Sequence, residues 1–130
     1  MQLRDERIHT VLNSIDLVGD ASGGLAWTTK RFHDENPRDY RAILDAMQEA
    51  TDFITAHPDK AAAYFVADMT VPADLSLVRQ LLADPSFGHG LTPRGTMLWA
   101  NFMFKVGRIH RLPASWKDVF WPEVHHLDGN

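Results

Sequence analysis

The stretch Asn36-Pro37-Arg38-Asp39-Tyr40-Arg41-Ala42-Ile43-Leu44-Asp45-Ala46-Met47-Gln48-Glu49-Ala50-Thr51-Asp52-Phe53-Ile54 decides the fold class of this chain. Asn36 is a good N-cap, and Pro37 suits the first helical position, where its missing N–H removes nothing the helix would use. Tyr40, Ile43, Leu44, Met47, Ala50 and Ile54 recur at helical spacing and form one apolar stripe. Arg38, Glu49 and Asp52 fall opposite, with Asp39 at the stripe's edge. The helix stops at His57, because Pro58 disfavours helical geometry in the residue before it.

Three more helices follow by the same logic. One begins with Asp59 as cap and carries Ala61, Ala62, Tyr64, Phe65 and Val66. Another starts near Pro72-Ala73-Asp74, carries Leu75, Val78, Leu81 and Leu82, and ends at Asp84-Pro85. Thr92-Pro93 opens a fourth, with Trp99, Phe102, Met103 and Val106 at i, i+3, i+4 and i+7, and Gly107 supplies a left-handed terminus. Ser115-Trp116-Lys117-Asp118 matches the capping box and predicts a short fifth helix that Pro122 stops. Upstream, residues 8–18 are apolar without helical period and are followed by a glycine-rich stretch, which predicts a short strand or turn. Residues 24–29, Gly-Leu-Ala-Trp-Thr-Thr, predict a second strand closed by Lys30-Arg31. The expectation is a mostly α chain with about two short strands, punctuated at 19–24, 85–90 and 111–115.

Composition narrows the function. At 130 residues, 45% hydrophobic and 23% charged, the chain fits one soluble domain with a core. Without cysteine there is no disulfide, thiolate metal site or cysteine nucleophile. A net charge of −4 argues against binding driven by nucleic-acid phosphates. No apolar run approaches the roughly 20 residues that span a bilayer. The mixed-charge start Met1-Gln2-Leu3-Arg4-Asp5-Glu6-Arg7 leads into no apolar signal region, so the chain as written is cytoplasmic. Seven histidines show no ligand spacing, and His33-Asp34-Glu35 reads as the lead-in to the helix cap. Ser22-Gly23-Gly24 lacks the Gly-x-Ser-x-Gly elbow, and residues 19–24 lack the dinucleotide fingerprint. Neither an enzyme, a cofactor nor a metal is expected. Of four tryptophans, Trp99 and Trp116 are expected in the core, and Trp27 and Trp121 exposed.

Taken in order, the segments resemble one family. Val11-Leu12-Asn13-Ser14-x-Asp16, a glycine-rich turn, Trp27-Thr28-Thr29-Lys30-x-Phe32 and Glu35-Asn36-Pro37 come first. Ala42-Ile43-Leu44-Asp45-Ala46-Met47-Gln48-Glu49-Ala50 and Asp52-Phe53-Ile54 follow. Trp99-Ala100-x-Phe102-Met103-x-Lys105-x-Gly107, Pro113-Ala114-Ser115-Trp116-Lys117-Asp118 and Pro122-Glu123-Val124-His125 complete the set. The order is similar to the C-terminal part of periplasmic substrate-binding proteins of ABC importers for nitrate, sulfonates and taurine.

That resemblance implies a periplasmic-binding-protein-like α/β fold of type II, of which residues 1–130 are a single or partial domain. Residues 1–30 would hold the short strands and a segment crossing between lobes, and residues 36–126 the helical part of one lobe. It implies a periplasmic protein that partners a small-molecule solute and an ABC permease, with ligand contacts at Asn13, Ser14, Asp16, Trp27 and Thr28. A segment lacking the rest of both lobes is not expected to bind ligand alone. The fungal thiamine-pyrimidine synthases share the fold family, but their cysteine motif is absent and their activity is not carried over. The alternative is a stand-alone helical interaction module that self-associates, as a homodimer for instance, through apolar faces such as those of Tyr40, Leu44, Trp99 and Trp116.

Overall fold

The computed structural model describes residues 7–84 and 88–130, and the Asp84-Pro85 stop and the 85–90 punctuation lie partly outside them. Six α-helices and two 3₁₀ turns account for the regular structure among the described residues. The chain forms two compact units, Trp27–Leu91 and a second built from Met1–Ala26 with Thr92–Asn130.

The Trp27–Leu91 unit is a run of sequential helices, α2 (Lys30–Glu35), α3 (Pro37–Ala56), α4 (Pro58–Asp68) and α5 (Leu75–Ala83). Prolines 37 and 58 occupy first-turn positions, so each removes a donor the helix does not need. Between α3 and α4, His57 leaves helical geometry at φ −136°, ψ 57°, where the proline after it forbids the α conformation. Asp74 caps α5, its Oδ1 accepting from the N–H groups of Ser76 (2.8 Å) and Leu77 (3.2 Å). Successive helices pack on one another, α2 on α3, α3 on α4 and α4 on α5. Tyr40, Ala62 and Val78, one from each of the three longer helices, are the buried hydrophobic side chains. Phe53 stacks on Tyr64 across the α3–α4 pair, and Arg79 reaches Asp59 at 2.8 Å across α4 and α5. That exposed ion pair adds at most about 1 kcal/mol, so burial between the helices is the main support.

The second unit holds α1 (Ser14–Val18) and α6 (Thr96–Lys105), followed by 3₁₀ turns at Trp116–Asp118 and Pro122–Val124. Its segments meet at Gly95. The Ser22 N–H donates to the Arg94 carbonyl, and the Arg94 N–H donates to Ser22 Oγ, both at 3.0 Å. Asn130 lies against the same turn: its Oδ1 accepts from the Gly95 N–H at 2.6 Å and its backbone oxygen from the Thr96 N–H at 2.8 Å. Gly95 has φ 67°, and a Cβ there would come within 2.9 Å of the Ala21 Cβ. Glycine is required twice over, for the dihedral and for the space.

The mostly α expectation holds, and the two strands do not. Within residues 8–18 the structure has α1, because Asn13 Oδ1 accepts the Ile15 N–H at 3.2 Å and starts a helical turn. Residues 24–29 form no strand, and Thr29 Oγ1 accepts from the Phe32 N–H (3.1 Å), so the hydroxyl read as a strand residue caps α2. A lone extended segment cannot satisfy its backbone as a sheet does. His33-Asp34-Glu35 accordingly lies within α2. Asn36 precedes α3 as expected but makes no side-chain cap; its Nδ2 donates back to the Phe32 carbonyl at 3.2 Å. Helix α4 begins at Pro58, one residue before the expected Asp59 cap. Helix α6 begins at Thr96, not after Thr92-Pro93, because the Pro93 and Arg94 carbonyls are held by Asn130 and Ser22. The capping box at Ser115 forms as expected but closes a 3₁₀ turn, and Pro122 opens a second one.

Replacing Gly95 by Ala is expected to lower stability by about 1–3 kcal/mol, from the left-handed φ and the contact with Ala21. Gly24→Ala, whose Cβ meets nothing within 4 Å, should leave stability within about 0.5 kcal/mol in the same urea titrations.

Candidate functional site

A concavity lies in the unit that contains α6. It is an open groove of about 1090 Å³. One wall is the α6 face bearing Trp99, Ala100 and Met103; the other is the returning chain at Ile109, Arg111, Leu112 and Pro113. The return is set by a Schellman ending: the Arg108 N–H bonds the Met103 carbonyl (2.8 Å) and the Gly107 N–H that of Phe104 (3.0 Å). Gly107 at φ 74° supplies the left-handed residue expected there. Val119, Phe120, Ser22 and Leu25 also line the groove.

The floor beyond Pro113 is rigidly built. Asp118 Oδ2 accepts from the N–H groups of Ala114 (2.8 Å) and Ser115 (3.1 Å), while Ser115 Oγ accepts from the Lys117 N–H at 3.2 Å. This box seats Trp116, which is 8% exposed, edge-on to Phe120 and His125. The His125 Nε2–H donates to the carbonyls of Lys117 and Phe120, both at 2.9 Å, satisfying acceptors that a 3₁₀ turn leaves open. Gly129 passes so close that a Cβ would lie 2.8 Å from the indole.

Apolar side chains dominate the lining, and its polar groups are largely committed to structure. Ser22 is bonded to Arg94, Asp118 caps a turn, and Arg94 Nε lies 3.9 Å from Asp20 Oδ2. Such a surface suits hydrophobic contact. Among the described residues no group of three or more potential ligands comes together to hold a metal ion.

The residues singled out from sequence lie elsewhere. Asn13, Ser14 and Asp16 stand at the start of exposed α1, with the Asn13 side chain occupied as cap. Trp27, 86% exposed, and half-buried Thr28 begin the other unit. None lines the groove. Arg94 and Arg111 were missed, since an arginine beside a glycine or leucine carries no sequence signal of its own. Trp116 is in the core as expected, but Trp99 is 48% exposed and meets Phe102 of its own helix edge-on. Comparison with models of known families, with curated proteins and with solved structures finds no match for the chain. No described helix is long and apolar enough to cross a membrane.

One carboxylate outside the groove is perturbed. The Asp34 carboxyl is held below the usual aspartate range, first by its hydrogen bond with Lys30 one turn back, then by His33 Nδ1 at 3.0 Å. The charged form is the favoured one, so this contribution to folding is present above the unfolded value of about 3.9 and is lost as pH falls through the lowered folded value. Carboxyl carbon NMR titration should find Asp34 titrating below free aspartate, and Lys30→Gln should move its midpoint upward.

Proposed function

We propose that the chain is the helical C-terminal part of a substrate-binding component of an ABC importer for nitrate, sulfonates, taurine or a similar small molecule. The observation that carries the reading is the order and spacing of its motifs from residue 9 to residue 126. On this reading the complete protein has the two-lobed, type II binding-protein α/β architecture, works in the periplasm and hands its solute to a permease. The chain is no enzyme and needs no cofactor.

Two features support it. Helix α6 is rich in large apolar residues that stay exposed, a composition that fits contact with further structure. Most of the expected ligand contacts are exposed: Asn13, Ser14 and Asp16 lie at the cap and first turn of a five-residue helix, and Trp27 lies outside any helix. Hydrogen bonds from exposed Asn, Ser and Asp side chains compete with water and hold a small anion weakly. The isolated chain therefore binds no solute tightly, and the contacts become a site only when the rest of both lobes encloses them.

A second reading, an interaction module that self-associates, is favoured by the uncovered apolar surface of α6. The surfaces of Tyr40 and Trp116 are already buried within their own units and do not contribute.

Calorimetry on the isolated chain with taurine, nitrate or an alkylsulfonate should give no measurable heat of binding. Grafted in place of the matching segment of a taurine-binding member of that family, the chain should restore a taurine-dependent rise in Tm, equivalent to about 2.7 kcal/mol at a hundredfold excess over Kd. Tight binding by the isolated chain, or a graft that folds without responding to taurine, refutes the importer reading.

A further inference from the structure

Helix α6 carries six large apolar residues against Thr96, Asn101 and Lys105 as its polar ones. Leu98, Trp99, Phe102, Met103, Phe104 and Val106, on the helix and its cap, are each between 38% and 52% exposed. Apolar surface of this extent on one helix is usually covered by a partner. Leu112 and Val119, which line the groove, are 38% and 54% exposed, so the uncovered apolar surface continues from the helix onto the groove.

The two ends of the helix carry opposite charge. Its C-terminal end has Lys105 and Arg108. Its N-terminal end is flanked by Asp20 and Arg94, which meet at 3.9 Å, and by Asp128, two residues from the Asn130 that caps Gly95 and Thr96. Counting these groups, two positive charges stand at one end and one net negative at the other, and Arg111 and Asp118 in the groove cancel each other. Two copies of α6 crossing antiparallel about a two-fold axis bring each positive end to the partner's negative end; a parallel pair sets like against like.

We infer that α6 and the adjoining groove are a homodimer interface, with the α6 helices of two copies packed antiparallel through Trp99, Phe102 and Met103. The inference rests on the self-association reading and specifies its surface. It does not depend on the importer assignment. Each α6 lays its aromatic ridge along the other's groove, and Lys105 of one copy faces Asp20 and Asp128 of the other. The contact is isologous, so it closes at two copies and does not propagate.

Sedimentation equilibrium of the full chain across micromolar concentrations is the test. A monomer–dimer equilibrium is expected, and Trp99→Glu and Phe102→Glu should each weaken it about 100-fold, as buried aromatic anchors do. Trp27→Ser, on the other unit, should leave it unchanged. Lys105→Glu and Asp20→Lys should each weaken the dimer about five-fold, and the double variant should recover it. A monomer throughout overturns both the surface and the self-association reading. A dimer indifferent to Trp99→Glu and Phe102→Glu overturns this surface alone. Loss of the dimer in the single charge variants without recovery in the double one overturns the antiparallel arrangement, and growth beyond two copies overturns the closed contact.

Discussion

Everything in the α6 unit depends on the turn at Gly95, where three stretches of chain distant in sequence share one set of backbone hydrogen bonds. Ser22 is 72 residues from Arg94 and Asn130 is 35 from Gly95, yet their polar groups interlock within a few ångströms. The helix that follows has no side-chain N-cap, and Asn130 takes two of the donors its first turn leaves open. Holding Asn130 there draws Gly129 across the Trp116 ring, which fixes the aromatic seat below the groove. With the start of α6 pinned at Gly95 and its end turned back at Gly107, the two walls of the groove follow from the geometry of one ten-residue helix.

The other unit is built on the opposite principle. Its helices follow one another and pack on their sequence neighbours, so its contacts close short loops at small entropic cost. Such an arrangement folds with few fully buried side chains. Tyr40, Ala62 and Val78 suffice because half-buried neighbours such as Leu44, Ile54 and Leu75 share the burden. Both units leave large apolar side chains exposed, Ile43, Tyr64 and Phe65 in the first and Trp99, Phe102 and Phe104 in the second, but it is the α6 unit that uses long-range hydrogen bonds to hold its segments together.

The helical part was legible in detail wherever the signal was short-ranged. Pro37 and Pro58 placed the limits of α3, Asp74 the start of α5, Gly107 the end of α6, and Ser115 with Asp118 the box above Trp116. Residues 8–18 and 24–29 were misread because the apolar and β-branched residues there fit a strand only if a neighbouring strand exists to receive their N–H groups. None does among the described residues, and Asn13 and Thr29 turn the same stretches into helix caps. The candidate contacts Asn13, Ser14, Asp16, Trp27 and Thr28 came from motif resemblance, which carries residue types but not what each side chain is bonded to. Asn13 shows the difference: its amide oxygen is already engaged.

By itself the sequence determined that the chain is mostly helical and where most of its longer helices stop, because caps, prolines and left-handed glycines act on hydrogen bonds no more than about four residues away. Only the tertiary structure decided that Trp116 is buried while Trp99, on an equally apolar segment, is open; that α6 begins at Thr96; and that a groove lies along it. Burial depends on which distant segment arrives to cover a side chain. Gly129 reaches Trp116 because Asn130 is tied to Gly95, and no described segment reaches Trp99 to bury it in the same way.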